Sequence, residues 1–371
     1  MAKKLVIIVG VIILAGLAAY KGVSMFGKNK ISGRLMDAAL VPDAGSHPRL
    51  LVLTDGSFQY ISQKKGPGKQ VTARKGLFCK TYLYLYDPVS KKVLERQKTK
   101  YDVLPPDCVL ISLGHEIWEV PVERGYDRPH LMVLDAKTAR VLMTQDDFAR
   151  KFPELASGIL RIVADVNWPP YLEIYTKDGR TFVYSLEQKR IYANRKSFLK
   201  SLDSQLGEIK LFVLADPSGG ARKRLFLLTG PASKLCHASF AESYFSKLSL
   251  LGRFYNAKAE QLAKDTVFLE GWIAYQDSDI ALIAHQDQVG SNSPRRVTCV
   301  EADGDIRWAL SKEDLFPGFE LREKDVFSAK FFVQKRLRVK RHGSILLIAF
   351  KPKGFMGVDI SSGRILWKVL I

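Results

Sequence analysis

The end of the chain shows a pattern that also occurs several times before it. In the last 18 residues, GFMGVDISSGRILWKVLI, an apolar run leads into Asp359, a polar turn follows, and a second apolar run contains Trp367. Four related segments precede it: YLYLYDPVSKKVLERQ, LMVLDAKTARVLMTQ, TFVYSLEQKRIYAN and RVTCVEADGDIRWALS. Each is predicted to form a hairpin, because Asp or Ser hydrogen-bonds the turn backbone and β-branched residues favour the flanking strands.

The spacing between these copies predicts the architecture. The step from Asp87 to Asp135 is 48 residues, and the next step, to Ser185, is 50. Ser185 and Asp303 are 118 residues apart, and Asp359 follows 56 residues later. A strand-rich unit of about 40 to 50 residues is typical of a β-propeller blade. The sequence therefore predicts an all-β fold, a single propeller of six four-stranded blades, or seven if the long interval contains another.

Two of the copies, VDISSGRILWK and LDAKTARVLMT, resemble the tryptophan-docking repeat of pyrroloquinoline-quinone (PQQ)-type propellers, in which Asp precedes Thr-Gly and then Trp. Asp359, Gly363 and Trp367 match this repeat in register, whereas Ala139 and Met143 replace its Gly and Trp in the earlier copy. The resemblance implies a propeller whose tryptophans pack between blades. The residues with this structural role would be Asp87, Asp135, Asp303, Trp308, Asp359, Gly363 and Trp367.

The same resemblance argues against quinone chemistry. The dehydrogenases of the family hold their cofactor over adjacent cysteines, beside a calcium ion bound by carboxylate and amide groups. This chain has no Cys-Cys pair, and no ligand set of that kind can be matched in it residue by residue. We therefore expect a non-catalytic member, with no cofactor, no metal and no catalytic residues. Motif searches agree: HEIWE lacks the second His of a zinc protease, and neither a P-loop nor G-x-S-x-G occurs.

The N-terminal segment predicts where the chain resides. Residues 5–20 are apolar and follow two lysines, and Lys21 can snorkel, so that a span can reach residue 26. Residues 1–26 are thus a transmembrane anchor or a cleaved signal peptide, two interpretations that the sequence leaves open. A linker at 27–47 and the propeller at 48–371 would follow. The expected location is the bacterial inner membrane, single-pass, with the propeller in the periplasm.

Helical patterns interrupt the strand-rich sequence in a few places. They lie at residues 145–155, 196–206 and 238–264, and the last predicts a helical insertion near 235–265. The four cysteines, Cys79, Cys108, Cys236 and Cys299, permit a disulfide in an oxidising compartment, for example between the first two. Buried thiols are the alternative.

Basic clusters provide the main indication of a binding surface. Lys and Arg number 57 against 38 Asp and Glu, a net charge of +19, which favours anionic partners. Alternation along QKRLRVKRHGS places its cations on one strand face and its apolar residues on the other. The candidate surface for an anionic partner comprises Lys64, Lys65, Lys69, Arg336, Arg338 and Lys340. A solvated edge strand, whose charges prevent aggregation, is the alternative.

These features together predict an exported, membrane-tethered binding or scaffold protein that engages a protein partner through one propeller face. Neutralisation of a partner enzyme, as by an antitoxin, belongs to this class. The alternatives are a hydrolase or lyase with its site in the central channel, and a module that binds anionic lipid or glycan. Nucleic acid is not expected as a partner, because of the exported compartment.

Overall fold

The computed structural model describes most of the chain, in the following segments: 30–41, 48–56, 58–65, 71–78, 81–99, 108–122, 130–165, 170–216, 221–233, 235, 258–288, 295–315, 337–351 and 354–371. The predicted anchor or signal, residues 1–26, lies outside them. Within them, no helix combines the length and the apolar character that crossing a membrane requires.

The first two sheets are four-stranded and antiparallel, and their strands pair in the order in which they occur in the chain, with one hairpin inserted in the first sheet. In the first, β1 (Arg34–Val41) and β2 (Arg49–Asp55) are followed, after a separate hairpin of β3 (Phe58–Lys65) and β4 (Val71–Phe78), by β5 (Thr81–Asp87) and β6 (Lys92–Thr99). The second consists of β7 (Cys108–Leu113), β8 (Glu116–Pro121), β9 (Met132–Asp135) and β10 (Val141–Thr144). Because β1 is part of a sheet, residues 34–41 of the segment predicted as a linker are strand.

The third, fifth and sixth sheets repeat this four-stranded arrangement, whereas the fourth has three strands in the part of the chain that the structure describes. The third consists of β11 (Ile159–Asp165), β12 (Tyr171–Thr176), β13 (Thr181–Ser185) and β14 (Arg190–Tyr192), and the fourth has β15 (Glu208–Ala215), β16 (Arg222–Pro231) and β17 (Lys258–Gln261). The fifth consists of β18 (Phe268–Gln276), β19 (Ile280–Gln286), β20 (Arg295–Glu301) and β21 (Ile306–Ser311), and the sixth of β22 (Leu337–His342), β23 (Ile345–Phe350), β24 (Gly354–Asp359) and β25 (Ile365–Leu370). Two residue pairs between β16 and β18 join the fourth and fifth sheets.

Helices are short in the described residues: α1 (Gln145–Lys151), α2 (Arg195–Leu206), α3 (Lys312–Leu315) and a 3₁₀ turn at Pro153–Leu155. The first two agree with the helical patterns at 145–155 and 196–206. Of the insertion predicted near 235–265, residues 236–257 are not described, and Lys258–Gln261 is strand rather than helix. The fold class is therefore all-β, as predicted.

The second strand of each sheet explains why several sequence segments are apolar without alternation. In β2, Leu51 and Leu53 pack against the second sheet, whereas Leu50 and Val52 pack against the sixth. Because successive side chains point to opposite faces, a strand that is covered on both faces has apolar residues at every position. The same division occurs in β19 and β23.

The hydrophobic core is divided into clusters that each join two sheets. There are five successive pairs of sheets from the first to the sixth, and one cluster joins the two sheets of each pair. One more joins the sixth sheet to the first, through Leu347, Phe355 and Trp367 against Leu50 and Tyr84. Each sheet therefore buries both faces against its neighbours, and the last sheet packs on the first.

The repeated turn connects the third strand of a sheet to the fourth. Asp135 Oδ1 accepts the backbone N–H groups of Lys137 and Thr138, at 3.1 and 2.7 Å. Asp359 Oδ1 accepts those of Ser361 and Ser362 in the same way, at 3.1 and 2.9 Å. The carboxylate thus organises the turn locally, as the sequence pattern predicts.

In one copy the residue that occupies the aspartate position of the turn is not the one that the sequence pattern predicts. In the fifth sheet, Glu301 rather than Asp303 occupies the position of Asp359, since its N–H bonds the carbonyl of Asp305 and its carbonyl accepts from Gly304. Asp303 lies inside the turn, where its Oδ1 accepts the N–H of Asp305 at 3.1 Å. This turn is one residue shorter than the turn at Asp359. The sequence pattern therefore predicted Asp303 at the position that Glu301 occupies.

Candidate functional site

The predicted cationic surface is described only in part. Lys64 and Lys65 end strand β3, and the structure does not describe their side chains. Lys69 and Arg336 lie outside the described residues. Arg338 and Lys340 lie on β22, the first strand of the sixth sheet. For Lys340 the prediction of an outward-facing cation is wrong, because it makes interior contacts.

The Lys340 amine lies against the first sheet. Its Nζ is 2.5 Å from Asp37 Oδ2 and 2.5 Å from the carbonyl oxygen of Ala38, both on β1. Asp37 is fully buried, and its Oδ2 also accepts the backbone N–H of Leu110 on β7, at 2.7 Å. One carboxylate therefore connects the first strands of the sixth, first and second sheets.

Local structure places Asp37 at this point. The pairing of β1 with β2 shifts register between Leu35 and Asp37, a bulge that redirects a side chain. On β22, Leu337 and Val339 pack toward the fifth sheet, so Arg338 and Lys340 face the opposite way, toward the first sheet. The sequence correctly groups these cations on one face, and the structure shows that this face is covered.

The surroundings of Asp37 are strongly cationic. Burial raises the pKa of its carboxyl, but the charges of Lys340, Arg338 and Lys351 outweigh this and hold the pKa below its ordinary value. Burial lowers the pKa of Lys340 from 10.5 to about 8, although the Asp37 charge opposes this shift. We call these four residues, Asp37, Arg338, Lys340 and Lys351, the Asp37 cluster. It contains three cations against one carboxylate.

Similar side-chain contacts join another pair of first strands and add to the connection between β7 and β1. Gln276 Oε1 on β18 accepts the backbone N–H of Phe212 on β15, at 2.8 Å. Ser112 Oγ on β7 donates to the carbonyl of Leu40 on β1, at 3.0 Å. The edge N–H and C=O groups of a sheet need partners when they are buried. Side chains from the neighbouring sheet supply some of these partners here.

Asp37 was not among the residues predicted from the sequence. Its signal is an acidic residue within the strand-like run RLMDAALV, whose remaining positions are mostly apolar. A buried carboxylate requires a cation or several donors. Such a residue therefore predicts a partner, although not that the partner lies 303 positions later in the chain.

The repeat residues pack between sheets. Trp308 on β21 belongs to the cluster shared by the fifth and sixth sheets, and its Nε1 donates to the carbonyl of Ile360, at 2.8 Å. Its ring lies directly over Gly363, where a Cβ atom would be 2.7 Å from Trp308 Cγ. Trp367 packs between the sixth and first sheets, edge-to-face with Phe355. Both tryptophans thus connect neighbouring sheets.

A cavity of about 360 Å³ lies elsewhere, where β16 meets β18. No member of the Asp37 cluster lines it. Its lining residues are Arg222, Val267, Leu269, Asp287 and Gln288.

Comparisons with known proteins place the chain in no family. No protein-family model matches it, and no curated protein matches it in sequence. Among solved structures, the computationally designed Ika8 protein is 9% identical and aligns over 91% of this chain and 87% of its own, with a TM-score of 0.25. Hydrazine synthase of Kuenenia stuttgartiensis is 10% identical over 76% and 73%, with a TM-score of 0.29.

Proposed function

We propose that this chain is a six-bladed β-propeller of the PQQ-like repeat type that binds a protein partner and catalyses no reaction. In this proposal residues 1–26 hold it at the bacterial inner membrane, with the propeller in the periplasm. Six core clusters that join successive sheets, the last of them joining the sixth sheet to the first, support the propeller arrangement. Antiparallel sheets paired in chain order are the form that blades take.

The observation that supports a binding role rather than catalysis is that polar side chains on the first strands form contacts between neighbouring sheets. Asp37 bonds Lys340 of one neighbouring sheet and Leu110 of the other, and Gln276 bonds Phe212 across another pair of sheets. In a propeller these strands surround the axis. Groups that an enzyme would direct at a substrate in the central channel instead hold the blades to one another, which suits a rigid scaffold.

The outer strands supply a surface for the partner. Leu94, Leu142 and Leu366 lie on β6, β10 and β25, the last strands of their sheets, and are 47%, 50% and 37% exposed. The turns before β6 and β25 add the exposed cations Lys91 and Arg364. Exposed apolar side chains next to cations suit a partner with an acidic rim around an apolar centre. We therefore propose an acidic protein, in keeping with the net charge of +19.

Site-specific photocrosslinking in cells tests this proposal. A photoreactive amino acid at Leu94, Leu142 or Leu366 should give a discrete adduct with one protein, whose sequence is then determined by mass spectrometry. Lys177, in the turn between β12 and β13, is the exposed control position. The double substitution Lys91→Glu and Arg364→Glu should reduce the adduct at least threefold, whereas Lys91→Arg should not.

Two results would contradict the proposal. The first is the absence of a discrete protein adduct at all three outer positions. The second is crosslinking to lipid, with salt-sensitive flotation on vesicles that contain anionic phospholipid, which would favour the lipid-binding alternative.

A second candidate function follows from Lys340. An amine whose pKa is about 8 is partly neutral at ordinary pH and is then a nucleophile or a base. Its side chain is 22% exposed, so small molecules can reach part of it. This favours a hydrolase or lyase with its site at the Asp37 cluster. Acylation of Lys340 should then be half-maximal near pH 8, and Asp37→Asn should move this midpoint lower.

Lys340→Arg separates the two functions. The guanidinium keeps the charge next to Asp37 but cannot act as a neutral amine. Loss of a hydrolytic or lytic activity in this variant, with photocrosslinking unchanged, would favour the enzyme over the scaffold.

A further inference from the structure

Three side chains with different donor atoms converge on the second sheet. Cys108 begins β7, Glu119 lies on β8, and His130 lies two residues before β9 begins. One ligand atom from each, the thiol sulfur, a carboxylate oxygen and a ring nitrogen, lies within 4.8 Å of the other two. His130 Nε2 is 3.2 Å from Glu119 Oε1.

Strand register brings them together. Leu110 pairs with Glu119, and Glu119 pairs with Met132. Residues two positions apart on a strand share a face, so Cys108 and His130 lie diagonally on either side of Glu119. The intervals of 11 residues, from Cys108 to Glu119 and from Glu119 to His130, follow from this hairpin geometry.

Burial makes the combination chemically specific. Cys108 and Glu119 are both fully buried, and Cys108 belongs to the cluster that joins the first and second sheets. The His130 side chain is 17% exposed, which leaves an approach from solvent. A thiolate and a carboxylate together carry two negative charges, and a bound divalent cation neutralises both in an environment where net charge is unfavourable.

We propose that Cys108, Glu119 and His130 form a binding site for a transition-metal dication of the zinc type. Thiolate, imidazole and carboxylate are the ligands that zinc takes in proteins, with bonds of about 2.0 to 2.3 Å. Tetrahedral ligands are then about 3.5 Å apart. His130 Nε2 and Glu119 Oε1, 3.2 Å apart, are close to this separation. The Cys108 sulfur lies within 4.8 Å of both, so that it reaches the same separation by a movement of about 1 Å at most. Three protein ligands leave a coordination position for water or another ligand.

Cobalt substitution tests the site in the detergent-solubilised full-length chain. After chelator treatment, we expect the protein to bind one Co²⁺ per chain with a thiolate-to-cobalt charge-transfer band in the near ultraviolet, which Zn²⁺ removes by displacement. Cys108→Ser should abolish the band. Glu119→Gln and His130→Gln should each weaken Zn²⁺ binding at least tenfold, since even neighbours of ligands typically contribute that much.

Cys299 provides the matched control. It is also a fully buried thiol on a strand, and it is not part of the cluster. Cys299→Ser should leave the cobalt band and the zinc affinity unchanged within twofold. Zn²⁺ should also raise the Tm of the wild-type chain, because a ligand that binds the folded state stabilises it.

The proposal is overturned if the wild-type chain binds no stoichiometric Co²⁺ or Zn²⁺ and its Tm does not rise with zinc. It is equally overturned if Co²⁺ binds without a thiolate band, or if Cys108→Ser and Cys299→Ser bind metal alike. In those cases Glu119 and His130 form an interior hydrogen bond beside an inert thiol.

Discussion

The turn before the last strand of the sixth sheet and the turn before the last strand of the second sheet have the same motif but different packing. In both, an aspartate accepts two backbone N–H groups, and the residue four positions later has a positive φ. That residue is Gly363, with φ of 71°, in the sixth sheet, and Ala139, with φ of 56°, in the second. Trp308 covers Gly363, whereas Gln97 contacts the second turn, 3.4 Å from the carbonyl of Thr138.

This difference separates two requirements that the repeat combines. The left-handed backbone is needed in both turns, and even alanine or lysine adopts it, as at Ala139, Lys91 and Lys189. Of these two turns, only that of the sixth sheet has an indole from the preceding sheet lying on it, and there a Cβ atom would lie too close to the ring. A copy of the motif can therefore form the same turn without its Gly and its Trp. A sequence match at the aspartate alone indicates a hairpin, but it does not indicate that a tryptophan packs on the turn.

The largest effect is expected from Trp308→Ala. Trp308 is 8% exposed and joins two sheets, so its removal should lower the free energy of unfolding by about 3 to 5 kcal/mol. The corresponding residue of the second sheet is Met143, which is only half-buried at the edge of its cluster. Met143→Ala should lower the free energy of unfolding by less than half as much.

Guanidinium unfolding followed by far-ultraviolet circular dichroism measures both variants. Trp308→Phe is the intermediate control, because it keeps a ring but loses the hydrogen bond to Ile360. Equal losses for Trp308→Ala and Met143→Ala would contradict the expectation that the indole at this position of a last strand joins two sheets more strongly than the half-buried Met143 does.

The next effect is expected from Gly363→Ala. The new Cβ would lie 2.7 Å from Trp308 Cγ, and the backbone would keep a positive φ, so we expect destabilisation by about 2 to 4 kcal/mol. In a Trp308→Ala background the contacts with the indole are removed and only the contact with the Cβ of residue 308, at 3.0 Å, remains, so the same substitution should have a smaller effect. Additive losses in the double variant would show that backbone strain alone, rather than the indole, requires glycine.

These particulars show what could be predicted from the sequence. The turn aspartates and the spacing of the copies predicted antiparallel sheets following one another, because hairpins depend on residues that are close in the chain. Asp37 and Lys340 could not be paired in advance, since their contact forms only when the last sheet meets the first. The linker predicted at residues 27–47 contains strand β1, whose run RLMDAALV includes an acidic residue and lacks the alternation of a half-buried strand.

The Cys108, Glu119 and His130 cluster was missed for a related reason. Metal motifs are recognised by short spacings on one helix or loop. Here the spacing of 11 residues has meaning only once the pairing of β7, β8 and β9 is known. The expectation of no metal site therefore rests on motif spacings, which do not test for ligands that strand pairing brings together.

A smaller difference is expected in the acid titration of the two turns. The hydroxyls of Ser361 and Ser362, with their backbone N–H groups, lower the pKa of Asp359 to about 2, and Thr138 lowers that of Asp135. Ser361→Ala should raise the pKa of Asp359 toward its ordinary 3.8. Because the folded-state pKa lies below the unfolded one, the stabilisation is complete above about pH 4 and is lost as the pH falls toward 2.

Carbon-13 titration of labelled aspartate carboxyl groups measures these pKa values. Thr138→Val is the matched change in the second sheet and should raise the pKa of Asp135. An unchanged pKa of Asp359 in Ser361→Ala would mean that the backbone donors alone stabilise the carboxylate.

The smallest effect is expected from Ala139→Gly, the reverse of the change at Gly363. Glycine relieves the positive φ of 56°, but the unfolded chain becomes more flexible and a buried methyl group is lost. These terms oppose one another, so the free energy of unfolding should change by less than about 1 kcal/mol in either direction. If Ala139→Gly instead destabilises the chain as much as Gly363→Ala does, then packing of the Ala139 methyl group contributes as much to stability as the fit between Gly363 and the indole of Trp308. The second turn would then be a docked copy in which a different contact replaces tryptophan.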